Sequence, residues 1–221
     1  MHKSVLDKGF VEPMTYTEHG DLLVVNAARC SFDKEHLEFE DKDEKLINYL
    51  AKHKHVLPFR HPSATFRIHA PLFVLRQLGK HQVGMSWSEV SRRYISTDPE
   101  FYVPEIWRGK APNVKQGSSL EKKVSLSVGL SLAQSSYNHM ALQQYNALLE
   151  SGVCAEQARI VLPQSMYTTT VTTGTLLAWH HMYTQRTDYH TQIETQEYAR
   201  AIGDYLKEFF PVSWKALCEH S

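Results

Sequence analysis

Between Arg76 and Arg93 the chain reads RQLGKHQVGMSWSEVSRR. Arg76, Lys80, Arg92, Arg93 and, when protonated, His81 carry positive charge there against one carboxylate, Glu89, with Ser86, Ser88 and Ser91 interspersed. The apolar segment HAPLFVL precedes it. Guanidinium groups grip phosphate bidentately, hydroxyls add neutral hydrogen bonds, and a core behind them holds both still, so the chemistry on offer is anion binding. A solvated helix end has the same composition. Two further arginines stand near helical patterns, Arg159 in EQARIVLP and Arg186 in TQRTDYH. A buried or half-buried Arg needs an anionic partner, either a Glu or Asp of its own chain or a ligand.

Other chemistries are less well supplied. Histidines cluster as His53, His55 and His61, and as His180 with His181, but no HExxH or comparable ligand spacing accompanies them, so no metal site is expected. Cys154 lies in GVCAEQ with no nearby histidine and Cys30 follows an apolar run, which reads as buried, inert thiols rather than nucleophiles. GMSWS fails the GxSxG elbow, and neither GxGxxG nor GxxxxGK[ST] occurs.

The totals set the frame for these residues. A chain of 221 residues with 42% hydrophobic and 22% charged side chains can bury a full core, and 1–221 reads as a single domain. Basic and acidic residues balance, so nothing in the overall field calls for nucleic acid or an anionic membrane as partner. Three scattered cysteines and a start, MHKSVLDKGFVEPM, without an apolar h-region lead to the expectation of a cytoplasmic, soluble protein.

The elements that must hold the arginines follow from periodicity. LLVVNAARCSF (22–32) reads as a buried strand feeding a loop, and 35–53 as a surface helix. HKHVLPFRHPS, broken by Pro58 and Pro62, is a structured loop. ATFRIHA alternates Phe66, Ile68 and Ala70 inward against Thr65, Arg67 and His69, and Pro71 then opens a helix to about His81. Residues 96–119 are an ordered loop in which Phe101, Tyr102, Val103, Ile106 and Trp107 need a surface to bury against. A long helix is expected over 119–151, capped by Ser118 or Ser119, with Glu121 in its first turn and Gly152 at its end. Its start, Val124 to Leu132, alternates as a strand also would. CAEQARIVL is a short helix stopped by Pro163, MYTTTVTT is β-prone, and TLLAWHHMYTQR and 191–210 are helices. The fold class is α+β.

With Gln77, Lys80-His81-Gln82, Glu89, Ser91 and Arg93 together, the chain resembles the flavin-dependent thymidylate synthases. NAARCSF, PFRHPSATFRIHAPLFVLRQ, EQARIVLP and RTDYHTQIETQEYA match in the same order, from about Val24 to Tyr205. The resemblance implies an α+β domain with a mainly antiparallel sheet packed by long helices, assembled as a homotetramer with active sites built from more than one subunit. It implies methylation of dUMP to dTMP, with methylenetetrahydrofolate as carbon donor, NADPH as reductant through FAD, and no cysteine nucleophile. Carried across, Gln77, Lys80, Glu89, Ser91, Arg93, Arg159 and Arg186 would meet dUMP, with Ser91 and Arg186 in catalytic roles and Arg186 beside the uracil. Ser31, His55, Lys80, His81, Gln82, Glu89, Thr175, His181 and His190 would meet FAD.

The chain departs from the family's Arg-His-Arg, seven residues, Ser signature. Lys80-His81-Gln82 is followed by eight residues, Val83 to Val90, before Ser91. Ser88 replaces a customary Asn, Leu57 a hydroxyl residue and His181 a common Asn. Losing a guanidinium from a phosphate contact costs about 1.5–3 kcal/mol, so the flavin half of the site is expected to be the weaker one. Two other outcomes stay open at this point: a flavoenzyme making a different 5-modified pyrimidine nucleotide, and a nucleotide-binding oligomer that has lost flavin and catalysis.

Overall fold

In the computed structural model, which describes residues 2–95, 97–112 and 117–221 apart from the side chains of Leu120 and Glu121, a five-stranded sheet carries the molecule. Its strands are β1 (Lys3–Val5), β2 (Gly9–Tyr16), β3 (Ser63–Pro71), β4 (Met85–Glu89) and β7 (Tyr167–Thr175), in the order β1-β2-β3-β7-β4 with every pairing antiparallel. The expected alternation holds in β3: Ala64, Phe66, Ile68 and Ala70 are buried. On β7 the same face is threonine, Thr168, Thr170 and Thr172 all buried, with Thr172 Oγ1 donating to Thr170 Oγ1 at 3.2 Å so that burial leaves these hydroxyls bonded.

Helices α3 (Leu72–Leu78), α6 (Leu176–Arg186) and α7 (Ile193–Phe209) pack on the sheet, and α1 (Gly20–Arg29), α2 (Asp41–Lys52) and α8 (Pro211–Glu219) complete the same buried cluster, which runs from Val5 to Leu217. Trp179 on α6 fixes helix to sheet. Its ring meets Phe66 edge-on at 5.2 Å and its Nε1 donates to the Ala64 carbonyl at 3.0 Å. A two-stranded ribbon, β5 (Arg108–Lys110) with β6 (Ser118–Lys123), leads into α4 (Ser127–Glu150), after which come α5 (Ala155–Ala158) and a 3₁₀ turn, Arg159–Val161.

Several expectations are corrected. The run 22–32 is helix α1 followed by a 3₁₀ turn, Cys30–Phe32, not a strand. Val24 and Val25 bury against neighbouring helices, and Asp21 accepts the N–H groups of Val212 and Ser213 at 3.0 and 2.9 Å, capping α8; these tertiary gains outweigh a weak helix propensity. Residues 118–123 form strand β6 rather than the start of a helix, so neither Ser118 nor Ser119 caps α4, which starts at Ser127; Glu121's backbone lies in β6. The alternation read over Val124 to Leu132 lies beyond that strand, with Val128, Leu130 and Leu132 on α4, and Gly152 closes α4 at φ 85° as expected. Pro71 ends β3 instead of opening the helix, which stops at Leu78. Of the loop expected over 96–119, Ser96 and residues 113–116 lie outside the described residues, Arg108–Lys110 is β5 and the loop's last two residues begin β6. Cys30 and Cys154, expected buried, are exposed, as is Cys218.

Candidate active site

A cleft of about 810 Å³ opens beside α3. Gln77 on α3, Arg186 at the end of α6 and His190 after it line the cleft, along with Phe73, Tyr102, Trp107 and Gln192. Gln77 Nε2 donates to Gln192 Oε1 at 2.8 Å, pairing two amides at the cleft wall. The 102–108 segment is held down by one ion pair: Arg108 Nη2 meets Glu194 Oε1 at 2.5 Å, and the Tyr102 hydroxyl donates to the same oxygen at 3.3 Å. Sequence reasoning missed Glu194, Arg108 and Gln192, which carry no local pattern. Tyr102 and Trp107 were visible only as aromatics in need of a surface.

Past Gln77 the cationic stretch does not line this cleft and touches it through His81 alone, which bonds Arg186; it runs on into a strand the sequence did not announce. Lys80 and Gln82 are exposed after α3, with the Gln82 amide donating to the Gly79 carbonyl. A turn follows, Met85 N–H bonding to the Gln82 carbonyl at 3.1 Å with Gly84 at φ 74°, a conformation that favours glycine. It delivers β4 to the sheet edge beside β7, where Thr175 N–H reaches the Gly84 carbonyl at 3.0 Å. Thr175 itself caps α6, Oγ1 accepting from Ala178 N at 3.2 Å. His81 touches Arg186: the Arg186 Nε–H donates to His81 Nε2 at 3.0 Å. Burial, then Arg186, then His181 hold the His81 imidazole below its ordinary range.

Glu89 ends β4 opposite Thr170. As a residue it is exposed, yet enough protein surrounds its carboxyl for desolvation to raise its pKa, against the pull of Arg159 and then Arg76. Arg159 is exposed on its 3₁₀ turn, and that exposure relieves it of any need for a tight internal partner. Ser91 and Arg93 lie on the turn after β4. Ser91 Oγ accepts from Arg93 N and Nε at 3.4 Å, and the guanidinium sits 5.2 Å from the Tyr94 ring centre.

Of the remaining residues, Ser31, His55 and His181 do not line the cleft. Ser31 is exposed in the turn after α1. The loop beyond it is anchored by buried Asp43, which bonds Arg29 Nη2 at 2.8 Å and His36 Nδ1 at 3.1 Å. His55 is exposed after α2, its ring 6.0 Å from that of Tyr49. His181 is exposed on α6, with desolvation and then Arg60 lowering its pKa. His190 Nδ1 meets Asp188 Oδ1 at 3.0 Å.

Residues 14–212 match the family described as Thymidylate synthase complementing protein. The chain belongs to this family. It is 38% identical over 217 residues to the flavin-dependent thymidylate synthase of Thermotoga neapolitana, covering 98% of this chain and 94% of that one. It is 38% identical to the namesake enzyme of Thermus thermophilus, covering 98% and 78%. Among solved structures, the UMP/dUMP methylase PolB from Streptomyces cacaoi bound with 5-Br dUMP superposes with a TM-score of 0.85 at 28% identity, covering 98% of this chain and 97% of that one. The same methylase bound with 5-Br UMP gives 0.81. As a flavin-dependent thymidylate synthase family member, the chain is an enzyme, a methyltransferase.

Proposed function

We propose that this enzyme methylates carbon 5 of the uracil of dUMP to give dTMP, with the carbon from methylenetetrahydrofolate and reducing equivalents from NADPH through FAD. The observation that carries the reading is the cleft lining: a guanidinium, Arg186, a bonded pair of amides, Gln77 and Gln192, and the aromatic side chains Phe73, Tyr102 and Trp107. A flat ring carrying imide oxygens and an N–H suits such a lining. A fixed cation beside the uracil lowers the pKa of its ring nitrogen and so raises electron density at carbon 5. Lys80, Arg93 and Arg159 would hold the phosphate, with Glu89 and Ser91 orienting the nucleotide.

The donor set also fits a flavin dinucleotide. His81, His181 and Arg60 lie within electrostatic reach along one chain, and Lys80 and His55 are exposed donors, which suits an anionic pyrophosphate. Ser31, His55, Lys80, His81, Gln82, Glu89, Thr175, His181 and His190 would hold it, and bound FAD supplies the passage of reducing equivalents from NADPH.

Ser31 and His55 stand apart from the cleft, and a homotetramer supplies the missing proximity. Support comes from α4, whose Val128 and Leu132, one turn apart, are 75% and 66% exposed, apolar surface that a second copy would cover.

Incubation of the purified protein with dUMP, methylenetetrahydrofolate, NADPH and FAD, followed by mass spectrometry of the nucleotide, tests the reading. A product one CH₂ heavier is expected; a hydroxymethylated product or none would overturn it. The likeness to a UMP/dUMP methylase makes UMP the second substrate to assay. No described helix is long and apolar enough to cross a membrane, in keeping with small soluble substrates.

A further inference from the structure

For Arg186 Nε–H to donate to His81 Nε2, that nitrogen must present its lone pair; His81 is then neutral with its proton on Nδ1. The backbone that carries the imidazole is in turn held by α3 and the sheet. The His81 backbone N–H donates to the carbonyl of Leu78, the last residue of α3, at 3.1 Å, and the His81 carbonyl accepts from Trp87 Nε1 at 3.0 Å. Trp87 is the middle residue of β4, paired with Thr172 of β7. A chain of contacts thus runs from the sheet edge, through Trp87 and His81, to the guanidinium of Arg186 at the cleft wall. Among the described residues neither terminal nitrogen of Arg186 has a hydrogen-bond partner, so both are available to a ligand. One ring nitrogen decides how the guanidinium is turned.

We propose that His81 is a positioning residue for methyl transfer: as the neutral Nδ1–H tautomer it accepts from Arg186 Nε and sets the guanidinium plane against the pyrimidine ring. This rests on the reading of Arg186 as the cation beside the uracil. The groups facing the imidazole are Arg186 and His181, both from α6, with exposed Lys80 preceding it on its own turn. All of these oppose a second positive charge. Protonating His81 removes the acceptor and sets an imidazolium against a guanidinium, so the arrangement is lost as the medium becomes acidic.

Nitrogen-15 NMR of histidine-labelled resting protein tests the tautomer directly: an unprotonated Nε2 and protonated Nδ1 at His81 are expected at neutral pH, and the opposite tautomer would overturn the proposal. Kinetics with FAD saturating, and flavin occupancy checked by absorbance, test the role. His81→Ala is expected to lower kcat by about ten- to a hundredfold, the scale of a misplaced reacting group, with the KM for dUMP changed little. In His81→Gln the amide oxygen can accept from Arg186 at any pH, so most of kcat should return and the acid limb of the wild-type kcat profile should vanish. Unchanged kcat in His81→Ala, or a retained acid limb in His81→Gln, would overturn it. A wild-type protein that makes no methylated product defeats the functional reading instead, while the NMR result still decides the pairing.

Discussion

Arg108 and Glu194, far apart in the chain, meet at 2.5 Å and tie the ribbon-bearing segment to α7 along the floor of the cleft. The Glu194 side chain is only 5% exposed and that of Arg108 21%, so the pair is largely desolvated. Burial pushes the Glu194 carboxyl up, but the hydrogen bond and charge of Arg108, with further bonds to the carboxylate, carry it below its ordinary 4.5.

Breaking this pair strands a buried carboxylate. Arg108→Ala is expected to cost about 3 kcal/mol, seen as a fall of about 6–12 °C in Tm by calorimetry. The sign of the pH dependence follows from the depressed pKa. Stability from Glu194 is present above its unfolded value near 4.5 and lost as pH falls through the lower folded value. Glu194→Gln should flatten that acid limb; an unchanged limb would show that other carboxylates govern it.

Arg186 and Arg159 should separate binding from activation. A phosphate is charged in the ground state, so a residue gripping it contributes uniform binding, whereas the uracil gains charge only as reaction proceeds. Arg186→Ala is expected to lower kcat by about a hundredfold or more. Arg159→Ala, at an exposed position on its 3₁₀ turn, should mainly raise the KM for dUMP. Steady-state kinetics at saturating FAD check both, and an Arg186→Ala effect confined to KM would reduce that residue to a binding contact.

Gln82 stands exposed in the turn between α3 and β4, where its amide only closes a local turn. Gln82→Arg restores a cation toward the flavin at little structural cost, so FAD should bind about tenfold more tightly, the worth of one charge-assisted hydrogen bond. Flavin fluorescence titration measures it, with dUMP affinity expected to stay the same.

The outer row of α4 predicts the assembly. Leu132, 66% exposed, contributes to no internal core, so Leu132→Glu should leave the monomer folded while placing charges in any face-to-face contact. Light scattering on the two proteins should show a smaller oligomer in the variant with unchanged circular dichroism. Should a second copy complete the flavin site, flavin occupancy will fall with it.

The sequence alone determined the elements whose burial pattern is local. The alternation of Phe66, Ile68 and Ala70 defined β3, threonines marked β7, and Gly152 marked the end of α4, because period and cap chemistry act over a few residues. It also marked Gln77, His190 and Arg186 as site residues, through resemblance, and the structure sets all three on one cleft. What it could not carry were choices made by distant partners. LLVV became helix α1 because α2 and α8 offered an apolar groove and Asp21 a cap for α8, gains invisible to local propensity. The segment 85–89 became an edge strand because β7 presented free backbone groups there, although its own side chains carry no strong strand period. The Arg108–Glu194 and His81–Arg186 contacts join residues whose separation along the chain holds no information about their meeting. Only the packing of α6 and α7 on the sheet brings those charges within reach, and in a desolvated cleft that proximity decides which nitrogen of His81 is protonated and how Arg186 is turned.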